Sequence, residues 1–198
     1  MTLPEVAQAQ AINKLFASAL KEYAPESLAV IGCTTGNGFE HIDTLKTRRV
    51  VGIDINPEYL AILKSRFLAK VPGLEVVESD FSETSFRLEP VSMVFAALVF
   101  EYLNVGDALQ NIERCMASGA TLVAILQLPC VESAPVTATQ YKSLELLAPI
   151  MRLVSPGEFS NISADIGLRV LKKDKVSLKS GKAFFVGYYR KNTEQIKD

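Results

Sequence analysis

Residues 28–38 read Leu-Ala-Val-Ile-Gly-Cys-Thr-Thr-Gly-Asn-Gly. A short apolar run stops at Gly32, and a small glycine-spaced turn follows. The run has the length and bounding of a buried strand of a parallel sheet. Glycine lets the backbone take positive φ and lets a ligand approach the main chain with no Cβ in the way. A helix starting near Gly38 would aim unpaired N–H groups and a positive dipole end at the turn. Such a corner suits the polar end of a nucleotide-like ligand.

Working outward, the same alternation recurs. Residues 3–22 read as an amphipathic helix, with a capping-box spacing from Thr2 to Glu5 and an apolar face of Ile12, Leu15, Phe16, Ala19 and Leu20. The segment 37–46 reads as a short helix turning Phe39, Ile42 and Leu45 inward. Arg49–Ile55 is a second buried strand ending at Asp54. Asn56-Pro57 starts a helix, Asn as N-cap and Pro at the first helical position. Its stripe is Leu60, Leu63 and Phe67, and Pro72-Gly73 closes it. Leu74–Glu78 is a third strand, followed by the turn Ser79-Asp80-Phe81.

Val91–Phe100 contains a fourth strand. Val105–Ser118 reads as a helix stopped by Gly119, and Thr121–Leu128 as the fifth strand. Residues 129–142 are an irregular connection. Leu144, Leu147 and Met151 mark a helix, and Ser155-Pro156-Gly157-Glu158 caps another that runs to Gly167. Stretches 168–178 and 182–190 form a hairpin about Ser180-Gly181. Beyond Lys191 the chain is polar and expected to fray.

Strands alternating with helices, then a hairpin, predict one α/β domain over 1–198. It is a doubly wound, mostly parallel seven-stranded sheet with a C-terminal antiparallel hairpin and helices on both faces. Ligands of such sheets sit at the C-terminal strand ends, beside the switch point. Gly32–Gly38, Asp54, Asp80-Phe81 and Ala97–Tyr102 all fall there.

Composition bounds the partners. A net charge of −1 and a pI near 6.0 give no global reason to expect nucleic acid or a membrane surface. The N-terminus has no basic-then-apolar secretory layout, and no apolar run reaches the ~20 residues of a membrane span. Three widely spaced cysteines, Cys33, Cys115 and Cys130, make no disulfide framework or zinc pattern, so a reduced cytoplasmic compartment is expected. The single histidine, His41, leaves little for metal chemistry and reads as a surface or capping residue. Lys172, Lys173, Lys175, Lys179 and Lys182 make the hairpin basic, a common device against edge-to-edge pairing.

The ligand class follows by elimination. There is no GxxxxGK[ST] phosphate loop, and the dinucleotide pattern G-x-G-x-x-G meets Gly32, Thr34 and Asn37. Asp54 stands 22 residues after Gly32, near the roughly 20-residue spacing of ribose-binding acids. A ribose-bearing ligand without a bound pyrophosphate fits both facts.

Leu28–Gly38, Val50–Asp54, Glu78–Phe81, Val91–Leu103 and Met116–Leu128 together resemble the class I S-adenosylmethionine-dependent methyltransferases, in that family's order and spacing. The resemblance runs from Ser27 to Tyr189. It implies S-adenosylmethionine as cofactor and S-adenosylhomocysteine as product. Gly32, Cys33, Thr34 and Gly36 would form the cofactor loop, beneath the methionine part and ribose. Asp54 would bind the ribose hydroxyls and Ile55 pack on adenine. Asp80 would meet the adenine amino group, Phe81 would give the base backbone or ring contact, and Ala97 and Leu98 would line the sulfonium side. Val30 stands where the family usually carries an acid, and Thr34 where it carries glycine.

Glu101 and Tyr102 follow the fourth strand on the acceptor side and are the candidate catalytic pair. Glu101 reads either as an acceptor-orienting base or as an exposed loop carboxylate. Glu101, Gln127 and Tyr141 are candidate contacts to the acceptor, with 129–142 as a lid or a surface loop. The expected activity is methyl transfer to a small molecule, by a monomer or homodimer. The alternative is a binding-only module on the same fold, motivated by Val30 and Thr34. An NAD-type oxidoreductase is disfavoured by the loop.

Overall fold

A computed structural model describes residues 4–129, 151–179 and 181–193. The elements run α1 (Pro4–Tyr23), β1 (Ser27–Ile31), β2 (Arg49–Asp54), α2 (Pro57–Phe67), β3 (Leu74–Glu78), β4 (Val91–Ala97), α3 (Val105–Cys115), β5 (Met116–Gln127), α4 (Pro156–Asp165), β6 (Leu168–Ser177) and β7 (Ala183–Lys191). The strands form one seven-stranded sheet in the order β3-β2-β1-β4-β5-β7-β6. β1 to β5 pair in parallel, and β7 runs antiparallel to both β5 and β6. The doubly wound prediction holds, with the switch point at β1, between β2 and β4.

Strand side chains alternate between two apolar layers. Ala29, Ile31, Val51, Ile53, Val94, Ala96, Leu122 and Ala124 pack with α3 and α4, through Leu109, Ile112 and Phe159. Leu28, Val30, Val50, Met93, Phe95 and Val123 pack with α1 and α2, through Phe16, Leu63 and Phe67. Both faces are covered, which explains the unbroken apolar runs in the sequence. Each fully buried Leu, Val or Phe contributes about 1.5–3 kcal/mol. Val30 belongs to this packing: it is a core residue facing the α1/α2 layer.

The start of α2 forms as its sequence dictates. Asn56 Oδ1 accepts the N–H groups of Glu58 and Tyr59, with Pro57 at the first helical position. α4 starts alike, the Ser155 hydroxyl accepting from Glu158 N–H.

Three segments depart from the sequence reading. The 37–46 stretch is no helix beyond a 3-10 turn at Phe39–His41; Phe39 is buried, Ile42 half-buried, and Leu45 is 87% exposed. Three glycines at positive φ (Gly32, Gly36 and Gly38) hold the chain in turns there, so no helical N-terminus faces the corner. α3 ends at Cys115, not Ser118. Met116 already pairs with Val91, and Gly119 at φ 72° sits in the register shift before Met93 meets Thr121, inside β5. Met151 lies in irregular chain, while Leu144, Leu147 and most of the 129–142 connection lie outside the described residues.

The basic edge is as expected on β6, where Lys172, Lys173 and Lys175 are exposed. Lys182 is not part of it, being buried at the start of β7. None of the described helices is long and apolar enough to cross a membrane.

Candidate functional site

The predicted residues converge on the C-terminal ends of β1 to β5. The geometry starts at Gly32, whose N–H and that of Cys33 both donate to the Ile53 carbonyl, at 2.9 and 3.1 Å. This bends the chain from β1 toward β2. Thr34 then takes φ 45°, the left-handed region that a β-branched residue rarely adopts. Its N–H donates to Asp54 Oδ2 at 2.9 Å. Asp54 Oδ1 accepts the Asn56 N–H at 3.0 Å. One carboxylate therefore clamps the glycine loop to the end of β2.

Among the described residues each Asp54 oxygen takes one backbone N–H, which leaves it a second lone-pair direction. The residue is 9% exposed, yet Ile55 beside it is 65% exposed, an apolar surface next to an acceptor pair. An acceptor pair beside an apolar surface is compatible with an adenosine: two hydroxyls for the carboxylate and a flat base for the isoleucine.

The other loop residues divide by what they touch. The Cys33 thiol is buried beside Gly52, where an added Cβ would lie 3.2 Å from its Sγ. Burial and the Asp54 charge push that thiol up to about 12, so Cys33 offers only its backbone. Gly36 is a packing glycine, because a Cβ there would lie 2.5 Å from Leu63 Cδ1 and 2.8 Å from Phe67 Cε2 of α2. The sequence reading placed Gly36 beneath the ligand. In the structure its missing side chain is what lets α2 close on the loop.

At the end of β3, Asp80 Oδ1 takes the Ser82 N–H and hydroxyl at 2.8 and 2.6 Å. The Phe81 ring turns into the core against Phe86, at a centroid distance of 4.6 Å. Ring contact to a base is thereby excluded for Phe81, leaving its backbone. Asn111, not singled out from the sequence, is buried on α3 and donates through Nδ2 to the Phe81 and Glu83 carbonyls at 2.7 and 2.9 Å. It fixes this turn in place. The signal was available: a short polar residue beside Ile112 on the buried face of an amphipathic helix.

At the end of β4, Leu98 takes φ 53° while its N–H donates to Ile125 O at 2.9 Å. Ala97 and Leu98 are both half-buried. Val99 lies over Gly32, with Cγ2 at 3.2 Å from where a Cβ would be. Left-handed non-glycine residues thus occur at the ends of both β1 and β4, the two strands at the switch point. Backbone strain of this kind persists where surrounding structure over-determines it, often at ligand sites.

A 3-10 turn, Phe100–Tyr102, follows. Glu101 is 1% exposed, which overturns its reading as an exposed loop carboxylate. Its Oε1 accepts the Gln127 N–H at 2.7 Å, and its carbonyl accepts from Arg152 N–H at 2.8 Å. Oε2 is buried with no hydrogen-bond partner. Burial pushes the Glu101 carboxyl up, against the opposing pull of the Gln127 N–H. Tyr102 is half-buried, its phenol pushed up by burial and by Glu101. Gln127 is buried at the end of β5. Tyr141 lies outside the described residues, and His41 stands apart, its Nε2 on Asn13 Oδ1 at 2.8 Å.

Residues 29–124 match the family model of a methyltransferase domain. The chain has the class I methyltransferase fold. Solved structures agree across nearly its whole length. The N-methyltransferase NodS from Bradyrhizobium japonicum WM9, in complex with S-adenosyl-l-homocysteine, superposes with a TM-score of 0.70 at 15% identity, over 92% of this chain and 86% of that one. A geranyl diphosphate C-methyltransferase from Streptomyces coelicolor A3(2), in complex with Mg2+, geranyl diphosphate and S-adenosyl-L-homocysteine, gives 0.66 at 15% identity, over 88% and 76%. The [4+2]-cyclase SpnF gives 0.73 at 12% identity, over 93% and 83%. No curated protein matches the chain in sequence. Within the methyltransferase fold, Gly32, Asp54, Asp80 and Ala97 come together at one end of the sheet, as their sequence positions required.

Proposed function

We propose that the chain is an S-adenosylmethionine-dependent methyltransferase acting on a small-molecule acceptor by direct in-line transfer. The observation that carries this reading is the Asp54 clamp. It holds the glycine loop, keeps two free acceptor directions and lies beside an exposed Ile55. Asp54 would take the ribose hydroxyls and Ile55 the adenine face. Asp80 and the Phe81 backbone would meet the base edge. Gly32, Cys33 and Thr34 would pass under the ligand by their main chain, with Ala97 and Leu98 along its sulfur side.

When bound, the cofactor supplies an already activated methyl group. The protein must then align acceptor and donor and keep water out. The half-buried Tyr102 and the buried Gln127 would stand on the acceptor side of that arrangement. Free, buried Cys33 and Cys115 agree with a reduced, cytoplasmic setting. A monomer or homodimer suffices, with no nucleic acid or membrane partner.

The second reading is a module that binds the cofactor without transfer. Thr34 at positive φ favours it, because its Cβ occupies a conformation that glycine adopts freely. The fold by itself decides nothing here, since a cyclase shares it.

Calorimetry with S-adenosylmethionine, S-adenosylhomocysteine and NAD tests the shared part. Binding of both sulfur compounds and not of NAD is expected, and the reverse would end both readings. Transfer of labelled methyl to any member of a small-molecule panel then separates enzyme from binding module.

A further inference from the structure

Glu101 is the unexplained group at the C-terminal strand ends. The turn that carries it begins directly after β4, and Val99, two residues earlier, lies on Gly32. Its Oε1 is spent on the last backbone N–H of β5. The turn therefore closes the wall between the β4 and β5 ends, one strand from the glycine loop. Oε2 is buried and unsatisfied. Among the described residues no Lys, Arg or His makes an ion pair with it. Tyr102, its neighbour, is neutral at ordinary pH. A carboxyl in this position is either kept protonated or waiting for a positive charge that no ion pair among the described residues provides.

We infer that Glu101 is the counter-charge for the positive end of the bound cofactor, favouring a sulfonium or the α-ammonium of its methionine part over an uncharged ligand. This rests on the methyltransferase reading above. The effect needs no direct contact. In a poorly screened interior, opposite charges several ångströms apart still attract appreciably. It also gives the orphan oxygen a use that hydrogen bonding within the protein leaves open. A cation bound beside it draws the carboxyl into its ionised form, while the Gln127 N–H holds the group in place.

The test uses three probes on the full chain: S-adenosylmethionine, with sulfonium and ammonium; S-adenosylhomocysteine, with ammonium only; and 5′-methylthioadenosine, with neither. The variant is Glu101→Gln, which keeps an oxygen for the Gln127 N–H and removes the charge. A loss of about tenfold for S-adenosylmethionine against an unchanged S-adenosylhomocysteine assigns the sulfonium. A similar loss for both, with methylthioadenosine unchanged, assigns the ammonium. Unchanged affinities for all three overturn the inference. So does an equal loss for all three, which would make Glu101 a structural tie. Wild-type protein that binds none of them refutes the methyltransferase reading itself, a distinct outcome.

Discussion

Asp54 Oδ2 accepts the backbone N–H of Thr34 at 2.9 Å, joining the end of β2 to the one loop residue held in a left-handed conformation without being glycine. The same carboxylate takes the Asn56 N–H, so it organises both the loop and the entry to α2. Asp54→Ala strands two backbone donors and removes the proposed ribose acceptor. We expect it to lower stability by about 1–3 kcal/mol, read from urea unfolding. S-adenosylhomocysteine affinity should fall by roughly 10–100-fold, read by calorimetry. A stability loss with unchanged affinity would leave Asp54 a purely structural residue.

Thr34 at φ 45° carries strain that glycine would not. Thr34→Gly should raise the urea midpoint by the equivalent of about 1 kcal/mol, less what the more flexible unfolded chain takes back. A lowered midpoint would mean that the threonine side chain stabilises the loop by contacts that outweigh its backbone.

Gly36 is needed for packing. A methyl group there meets Leu63 and Phe67 at 2.5 and 2.8 Å, with φ at 83°. Gly36→Ala should cost roughly 2–4 kcal/mol in a denaturation experiment and broaden the signals of α2 in an amide spectrum. Wild-type stability would show that α2 shifts away freely.

Glu101 makes stability depend on pH in a definite direction. Burial raises its carboxyl above the ordinary 4.5, so between that value and its folded pKa the native state holds a proton that the unfolded chain has released. Its favourable contribution is therefore full at low pH and is lost as pH rises through the folded pKa. Tyr102, also raised, titrates far above this window. Melting temperatures of Glu101→Gln should lack this decline, and a parallel decline in both proteins would assign it elsewhere.

Most of the scaffold was legible because its causes are local. The Asn56-Pro57 start of α2, the Ser155 cap of α4 and the two-faced apolar strands each follow from residues within one turn or one strand. Asp54 was legible from its spacing, because a strand end after Gly32 fixes where an acid must fall. Residues governed by distant chain were not legible. The sequence left Glu101 open between a base and an exposed carboxylate, since the Gln127 and Arg152 N–H groups that engage it come from β5 and the approach to α4. Gly119 looked like a helix stop because its role, a shift in the pairing of β5 with β4, exists only in the sheet. Gly36 looked like ligand space because the Leu63 and Phe67 side chains that need its bareness lie a whole helix away.

The most direct measurement is a crystal structure of the full chain with S-adenosylhomocysteine. The expected result has both ribose hydroxyls within hydrogen-bond distance of the Asp54 carboxylate and the adenine flat on Ile55. Adenosine bound elsewhere, with Asp54 still engaged only by Thr34 and Asn56, would contradict the assignment of this site.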